Sequence, residues 1–261
     1  MYPNLIEIGG FTITSFGVMM FLSFVTAAWV AGPQYRRRNL DPNLGWDLLV
    51  WVAIGGILGA KLYYLGLHWE DLVANPGREL LSRGGLVWYG GLIGGVLAYY
   101  WQVRRRKLPL LLSFDAVAPS LAIAYAVGRV GCFLVGDDYG LPTSSWVGIA
   151  FPTGAPPSTA GYLRTVGADL PASIPDWQVL PVHPTQLYEV AAALVIFGIL
   201  WRVSGRKLAP GRLFGLYLTL YGIERFLVEF VRAKGDRIVL GLSTPQLVRL
   251  VLVAIGAYLL Q

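Results

Sequence analysis

Long apolar runs, separated by short polar stretches, set the layout of this chain. A helix needs about 20 mostly apolar residues to cross a bilayer. The pattern therefore predicts spans near residues 11–32, 46–67, 84–103, 113–135, 184–203, 212–232 and 243–260, the fourth and sixth of which carry charges. The fold class that follows is an all-α polytopic membrane protein of about seven transmembrane helices, forming one membrane domain over 1–261. The first run follows Glu7 in place of a basic leader and is too long for a signal-peptide core, so it reads as a retained helix. Residues 137–183 break the pattern. Their Pro, Gly, Ser and Thr residues (FPTGAPPSTAGY, LPASIPDW) predict an irregular head over the helix ends.

Composition agrees with the pattern, since 55% of the residues are hydrophobic and 14% charged, against about 25% charged in a soluble domain. The net charge of +6 comes mostly from three basic clusters: Arg36 to Arg38, Arg104 to Lys107, and Arg202, Arg206, Lys207 and Arg212. They fall in alternate loops, which the positive-inside rule assigns to the cytoplasm. The N-terminus and the 137–183 head are then extracytoplasmic, and the C-terminus cytoplasmic. The clusters read as topology determinants facing anionic lipid headgroups, with no support for nucleic-acid binding. A single cysteine, Cys132, excludes an internal disulfide and a cysteine-based metal cluster.

Glycines in GGILGA at 55–60 and GGLIGG at 90–95 recur four apart, a spacing that lets helix backbones approach closely where lipid gives no hydrophobic drive. Trp88 and Tyr89 stand just before the second run. Two arginines, Arg129 and Arg225, lie inside apolar runs. Each costs about 2.5–3.5 kcal/mol at a span's centre, and an anionic ligand would offset this. Arg129 and Cys132 share a helix face, Gly131 and Gly136 loosen that helix, and Asp137 with Asp138 bring it to the surface, either as a solvated end or as partners of Arg129 that order the mouth of a pocket. Cys132 reads as a small buried apolar residue. Tyr221, Arg225, Glu229 and Arg232 fall along one helical stripe. That stripe describes either a structural Arg225–Glu229 ion pair or a guanidinium held in a fixed pose for phosphate, with Arg232 an interfacial anchor. His183 precedes Pro184 at the start of the fifth run, where Gln186 and Glu189 face inward and predict a buried polar corner.

GGLVWYGGLIGG, RVGCFLVGDDYG, HPTQLYE and YGIERFLVEFVR, in this order, resemble the successive signatures of the prolipoprotein diacylglyceryl transferase family. The resemblance implies a multi-pass enzyme of the bacterial cytoplasmic (inner) membrane. It would transfer a diacylglyceryl group from phosphatidylglycerol to the lipobox cysteine thiol of a prolipoprotein, forming a thioether and releasing glycerol phosphate, with no cofactor and no metal. It matches the family's two essential arginines to Arg129 and Arg225, its Tyr and Glu around the second arginine to Tyr221 and Glu229, and its closing glycine to Gly140. Arg129, Arg225 and Tyr89 are the expected catalytic residues. Gly140, Tyr221, Asp137, Glu229 and His183 are expected to join the two arginines in binding phosphatidylglycerol. The chain departs from the family pattern at Tyr89 in place of His, at Cys132, Val135 and Asp137 in place of Asn, Asn and Glu, and at Phe16 in place of Tyr. A phenol of ordinary pKa, about 10, is a poorer base at neutral pH than an imidazole. The alternative is a catalytically altered or silent paralogue that binds anionic phospholipid.

Overall fold

The structure, a computed structural model, describes residues 1–9, 11–82, 85–232, 237–239 and 242–261. The chain divides into two compact units, Ala28–Ala116 and a larger one of Met1–Ala27 with Val117–Gln261. Helices α1 (Ser15–Arg36) and α6 (Leu110–Val135) each contribute to both.

In the smaller unit, α2 (Leu44–Leu67) is followed by two short helices, α3 (Trp69–Ala74) and α4 (Pro76–Leu81), and by α5 (Trp88–Arg105). Helices α2 and α5 pack through the expected glycines. A Cβ on Gly55 would lie 2.6 Å from the Gly94 carbonyl oxygen, and one on Gly59 2.9 Å from Gly94 Cα. Van der Waals contact between backbones takes the place of a hydrophobic drive that lipid cannot supply. The Tyr35 hydroxyl meets that of Tyr99 at 3.0 Å, and Tyr99 donates to the Ser113 carbonyl at 2.8 Å, tying α1, α5 and α6 together. Ile57, Leu58, Leu62 and Leu97 stay exposed, as befits side chains that face hydrocarbon.

The larger unit opens with an antiparallel hairpin, β1 (Asn4–Ile8) and β2 (Phe11–Thr14). The first span was expected to begin at residue 11; it begins at Ser15, because Thr12, Ile13 and Thr14 are β-branched and pair as strand. Helix α1 then meets α6 where Ser23 donates to the Ala124 carbonyl at 2.8 Å and Gly131 lies under Met19. After α6 come β3 (Ile149–Ala150), α7 (Ala160–Thr165) and β4 (Pro181–Val182), with β3 and β4 paired, around a small core of Tyr139, Phe151, Leu163 and Val182. Helices α8 (Thr185–Val203) and α9 (Arg212–Val228) follow, then a single 3₁₀ turn (Glu229–Val231), the pair β5 (Arg237–Val239) and β6 (Leu242–Ser243), and α10 (Thr244–Leu260). Ser243 and Gln246 form a reciprocal cap on α10. Gly215, Gly222 and Gly256 let α9 and α10 pack closely.

Every expected apolar run contains a helix. Among the described residues four of them, α1, α2, α6 and α8, are long and apolar enough to cross a membrane, and the α10 region is a shorter apolar helix. Helix α9 stops at Val228 and Arg232 is extended, so the expected continuous stripe from Tyr221 to Arg232 is broken after its first half.

Candidate functional site

Helix α6 carries Arg129 two turns before its end. Gly136 closes the helix in the left-handed region at φ 77°, where the N–H groups of Gly136 and Asp137 both donate to the Cys132 carbonyl, at 2.8 and 3.2 Å. Asp138 is also left-handed, at φ 58°, and the reversal brings its carboxylate back to Arg129 Nη1 at 3.0 Å. The same Nη1 donates to Cys132 Sγ at 3.2 Å. Cys132 is buried, as expected, but serves as a polar partner of the arginine and not as apolar filler.

The start of α8 is fastened to this reversal. Thr185 Oγ1 donates to the Asp138 carbonyl at 2.7 Å, and Gln186 Nε2 to the Asp137 carbonyl at 2.5 Å. One turn further on, Glu189 is 0% exposed and pairs with both Arg129 and Arg225, with Arg232 Nη1 at 3.9 Å. Arg225 donates to the Tyr125 hydroxyl at 3.1 Å, and Tyr125 meets Tyr221 edge to face at 5.4 Å between centroids. Arg232 Nη2 reaches Asp138 at 2.5 Å. Three guanidinium groups from α6, α9 and the segment after it thus converge on two carboxylates. Arg129 Nη2 and Arg232 Nε are buried and have no hydrogen-bond acceptor among the described residues.

The two adjacent aspartates are shifted in opposite directions. Burial alone would raise the Asp138 carboxyl, but Arg232 and then Arg129 outweigh it and hold it well below the usual carboxylate range. Burial, reinforced by Asp138, pushes the Asp137 carboxyl up. Cys132, Asp137 and Asp138 bring metal-ligand atoms within 4.8 Å of one another. Guanidinium groups already occupy the thiol and Asp138, so this set is committed to arginine.

Arg129 and Arg225, expected from sequence, come together through a residue the sequence placed only in a polar corner, Glu189. Arg225 pairs with Glu189 and not, among the described residues, with Glu229, whose position on the 3₁₀ turn takes it off the α9 stripe. Arg232 is no interfacial anchor: it is 7% exposed and ion-paired, because the chain turns it inward after α9 ends. Gly140 lies where a Cβ would meet His183 Cβ and Thr185 Cγ2, each at 2.9 Å, and its N–H donates to the His183 carbonyl at 2.8 Å. The His183 ring meets the Tyr188 hydroxyl at 3.1 Å through Nδ1. Phe16 packs against Gly131. Tyr89 belongs to the smaller unit, at the first turn of α5, and is 62% exposed. Of the two aspartates that could pair with Arg129, Asp138 does so; sequence reasoning missed Tyr125 and Glu189 as the shared counter-charge. The available signals were the i, i+4 spacing of Tyr125 and Arg129 and a glutamate within an otherwise apolar helix.

The family model for prolipoprotein diacylglyceryl transferase matches residues 3–261. The chain is 33% identical over 261 residues to a phosphatidylglycerol–prolipoprotein diacylglyceryl transferase of Clostridium tetani, covering 99% of this chain and 96% of that one. It is 33% identical over 260 residues to the protein of the same name from Symbiobacterium thermophilum, covering 99% and 91%. With that of Stenotrophomonas maltophilia it shares 32% identity over 272 residues, covering 99% and 90%.

Proposed function

The chain belongs to the prolipoprotein diacylglyceryl transferase family, and from that premise we infer that it transfers the diacylglyceryl group of phosphatidylglycerol to a prolipoprotein. The acceptor in this reading is the thiol of a lipobox cysteine. Its sulfur attacks C3 of the lipid glycerol, the C–O bond to phosphate breaks, a thioether forms and glycerol phosphate leaves. One observation carries the reading: Arg129, buried, and Arg225, half-buried, are held by the same carboxylate, Glu189, while Arg129 Nη2 is left without an acceptor among the described residues.

Negative charge accumulates on the departing phosphate as the C–O bond breaks. Guanidinium groups already fixed in place stabilise that charge without reorganising, and their paired N–H groups match phosphate oxygens. The same two arginines bind the headgroup before reaction. Asp137, Gly140, Tyr221, His183 and Glu229 complete the headgroup site in this reading. Gly140 acts by permitting the close approach of the His183 and Val231 backbones. Tyr89 takes the place of the family's histidine on the thiol side, orienting the thiol or accepting its proton. The helices are read as seven spans in the bacterial cytoplasmic membrane, with the N-terminus and the 137–183 head outside and the C-terminus inside.

Arg129→Ala and Arg225→Ala are each expected to lower kcat by a factor of about 10²–10³ or more, measured with purified phosphatidylglycerol and a lipobox peptide, while the protein still inserts. Wild-type turnover in either variant would refute the assignment. Lipid binding without thioether product in the unsubstituted protein would identify a silent paralogue. For Tyr89→Phe, an unchanged rate and pH profile would leave Tyr89 with the orienting role alone.

A further inference from the structure

Glu224 is a buried carboxylate that the arginine network leaves unpaired. It lies on α9 immediately before Arg225 and is 8% exposed, and both of its oxygens are enclosed without a hydrogen-bond partner among the described residues. It stands in the field of Arg129 from α6, Arg249 from α10 and Arg232 beyond the 3₁₀ turn. Tyr125 of α6 and Tyr217 and Tyr221 of its own helix share its surroundings. The Arg249 guanidinium is itself turned over the Tyr221 ring, at 5.7 Å. An ionisable side chain buried in a membrane helix without a fixed partner is costly and marks a functional position.

The transfer reaction needs a group of this kind. The acceptor thiol must lose a proton as sulfur attacks carbon, so the site requires a basic oxygen or nitrogen with a lone pair available. Glu189, from α8, is engaged by Arg129 and Arg225, and Asp138 by Arg129 and Arg232. Their oxygens are committed to positioning those arginines, whereas the oxygens of Glu224 are not.

We propose that Glu224 is the proton acceptor of the transfer reaction. The S–H proton passes to its carboxylate, directly or through one water, as the S–C bond forms. The electron pair of the breaking C–O bond stays on the phosphate oxygen. The proton then moves from Glu224 to the departing glycerol phosphate, so the carboxylate is regenerated with each turnover. This assignment rests on the transfer reading above and leaves Tyr89 to orient the thiol.

The test measures kcat and KM for phosphatidylglycerol from pH 5.5 to 9 in the unsubstituted enzyme, Glu224→Gln, Glu224→His and Tyr89→Phe. A positioned base contributes about 10²–10⁴-fold. Glu224→Gln is therefore expected to lose at least about 100-fold in kcat with KM within about twofold, and to lose the acid limb of the pH profile that Tyr89→Phe retains. Glu224→His keeps a proton acceptor of different pKa and is expected to move that limb. Wild-type turnover with an unmoved acid limb in Glu224→Gln overturns the proposal. Should Glu224→Gln fail to fold, an unmoved limb in Glu224→His does so. Absence of thioether product from the unsubstituted enzyme would instead defeat the transfer reading itself.

Discussion

Glu189 holds Arg129 and Arg225 at once, so its removal leaves Arg225 without a carboxylate among the described residues and Arg129 with Asp138 alone. Breaking a buried pair by deleting one partner costs about 3–5 kcal/mol. Glu189→Ala is expected to lose at least that much stability in a denaturant titration in detergent, and Glu189→Gln nearly as much, because the charge and not the shape is what the arginines need. Asp137 and Asp138 should behave oppositely. The Asp138 carboxyl is lowered in the folded state, so its stabilisation is complete at neutral pH and is lost only as pH falls below the ordinary aspartate value of about 3.9. The Asp137 carboxyl is raised, so its ionisation opposes folding as pH rises above that value. At pH 7, Asp138→Asn should melt below the unsubstituted protein and Asp137→Asn no lower than it. Arg129 and Arg225 were legible in the sequence because a guanidinium inside an apolar run demands a partner. Arg232 was not, because an arginine at a span's end has a cheap alternative in the headgroups, and nothing local indicates that the chain turns it back.

Among the elements, the glycine seam between α2 and α5 was fully legible, since small residues four apart on two apolar helices have few other uses. Gly59→Val would push a branched side chain into the Gly90 and Gly94 backbone. Overpacking of this kind costs about 1–3 kcal/mol, and the measurement is the shift in thermal unfolding in detergent against a Gly66→Val control, whose Cβ would meet nothing within 4 Å. Less legible were the two places where an apolar run changes its secondary structure. Hydropathy cannot distinguish the strand Phe11–Thr14 from the first turns of α1, and it cannot locate the end of α9 at Val228. The first depends on hairpin pairing with Asn4–Ile8, the second on hydrogen bonds to a distant segment, such as the Leu141 N–H donating to the Val231 carbonyl at 2.8 Å.

For the molecule as a whole, the charge asymmetry of the loops makes a prediction about sidedness. Trp146, 94% exposed in the head, and Lys207, in a basic loop, are expected on opposite faces. In intact cells a membrane-impermeant maleimide should label Trp146→Cys and spare Lys207→Cys until the membrane is opened. The buried Cys132 gives little background in either case. The sharing of Glu189 also has a consequence for biosynthesis. Arg129 is translated roughly 60 residues before its counter-ion, an interval of about 3–12 s at ordinary ribosome speeds. Through that wait the nascent span has Asp138, nine residues downstream, as its nearby neutralising partner. A ribosome stalled before codon 189 would leave a half-built bundle with its cation only partly satisfied, a natural target for membrane quality control.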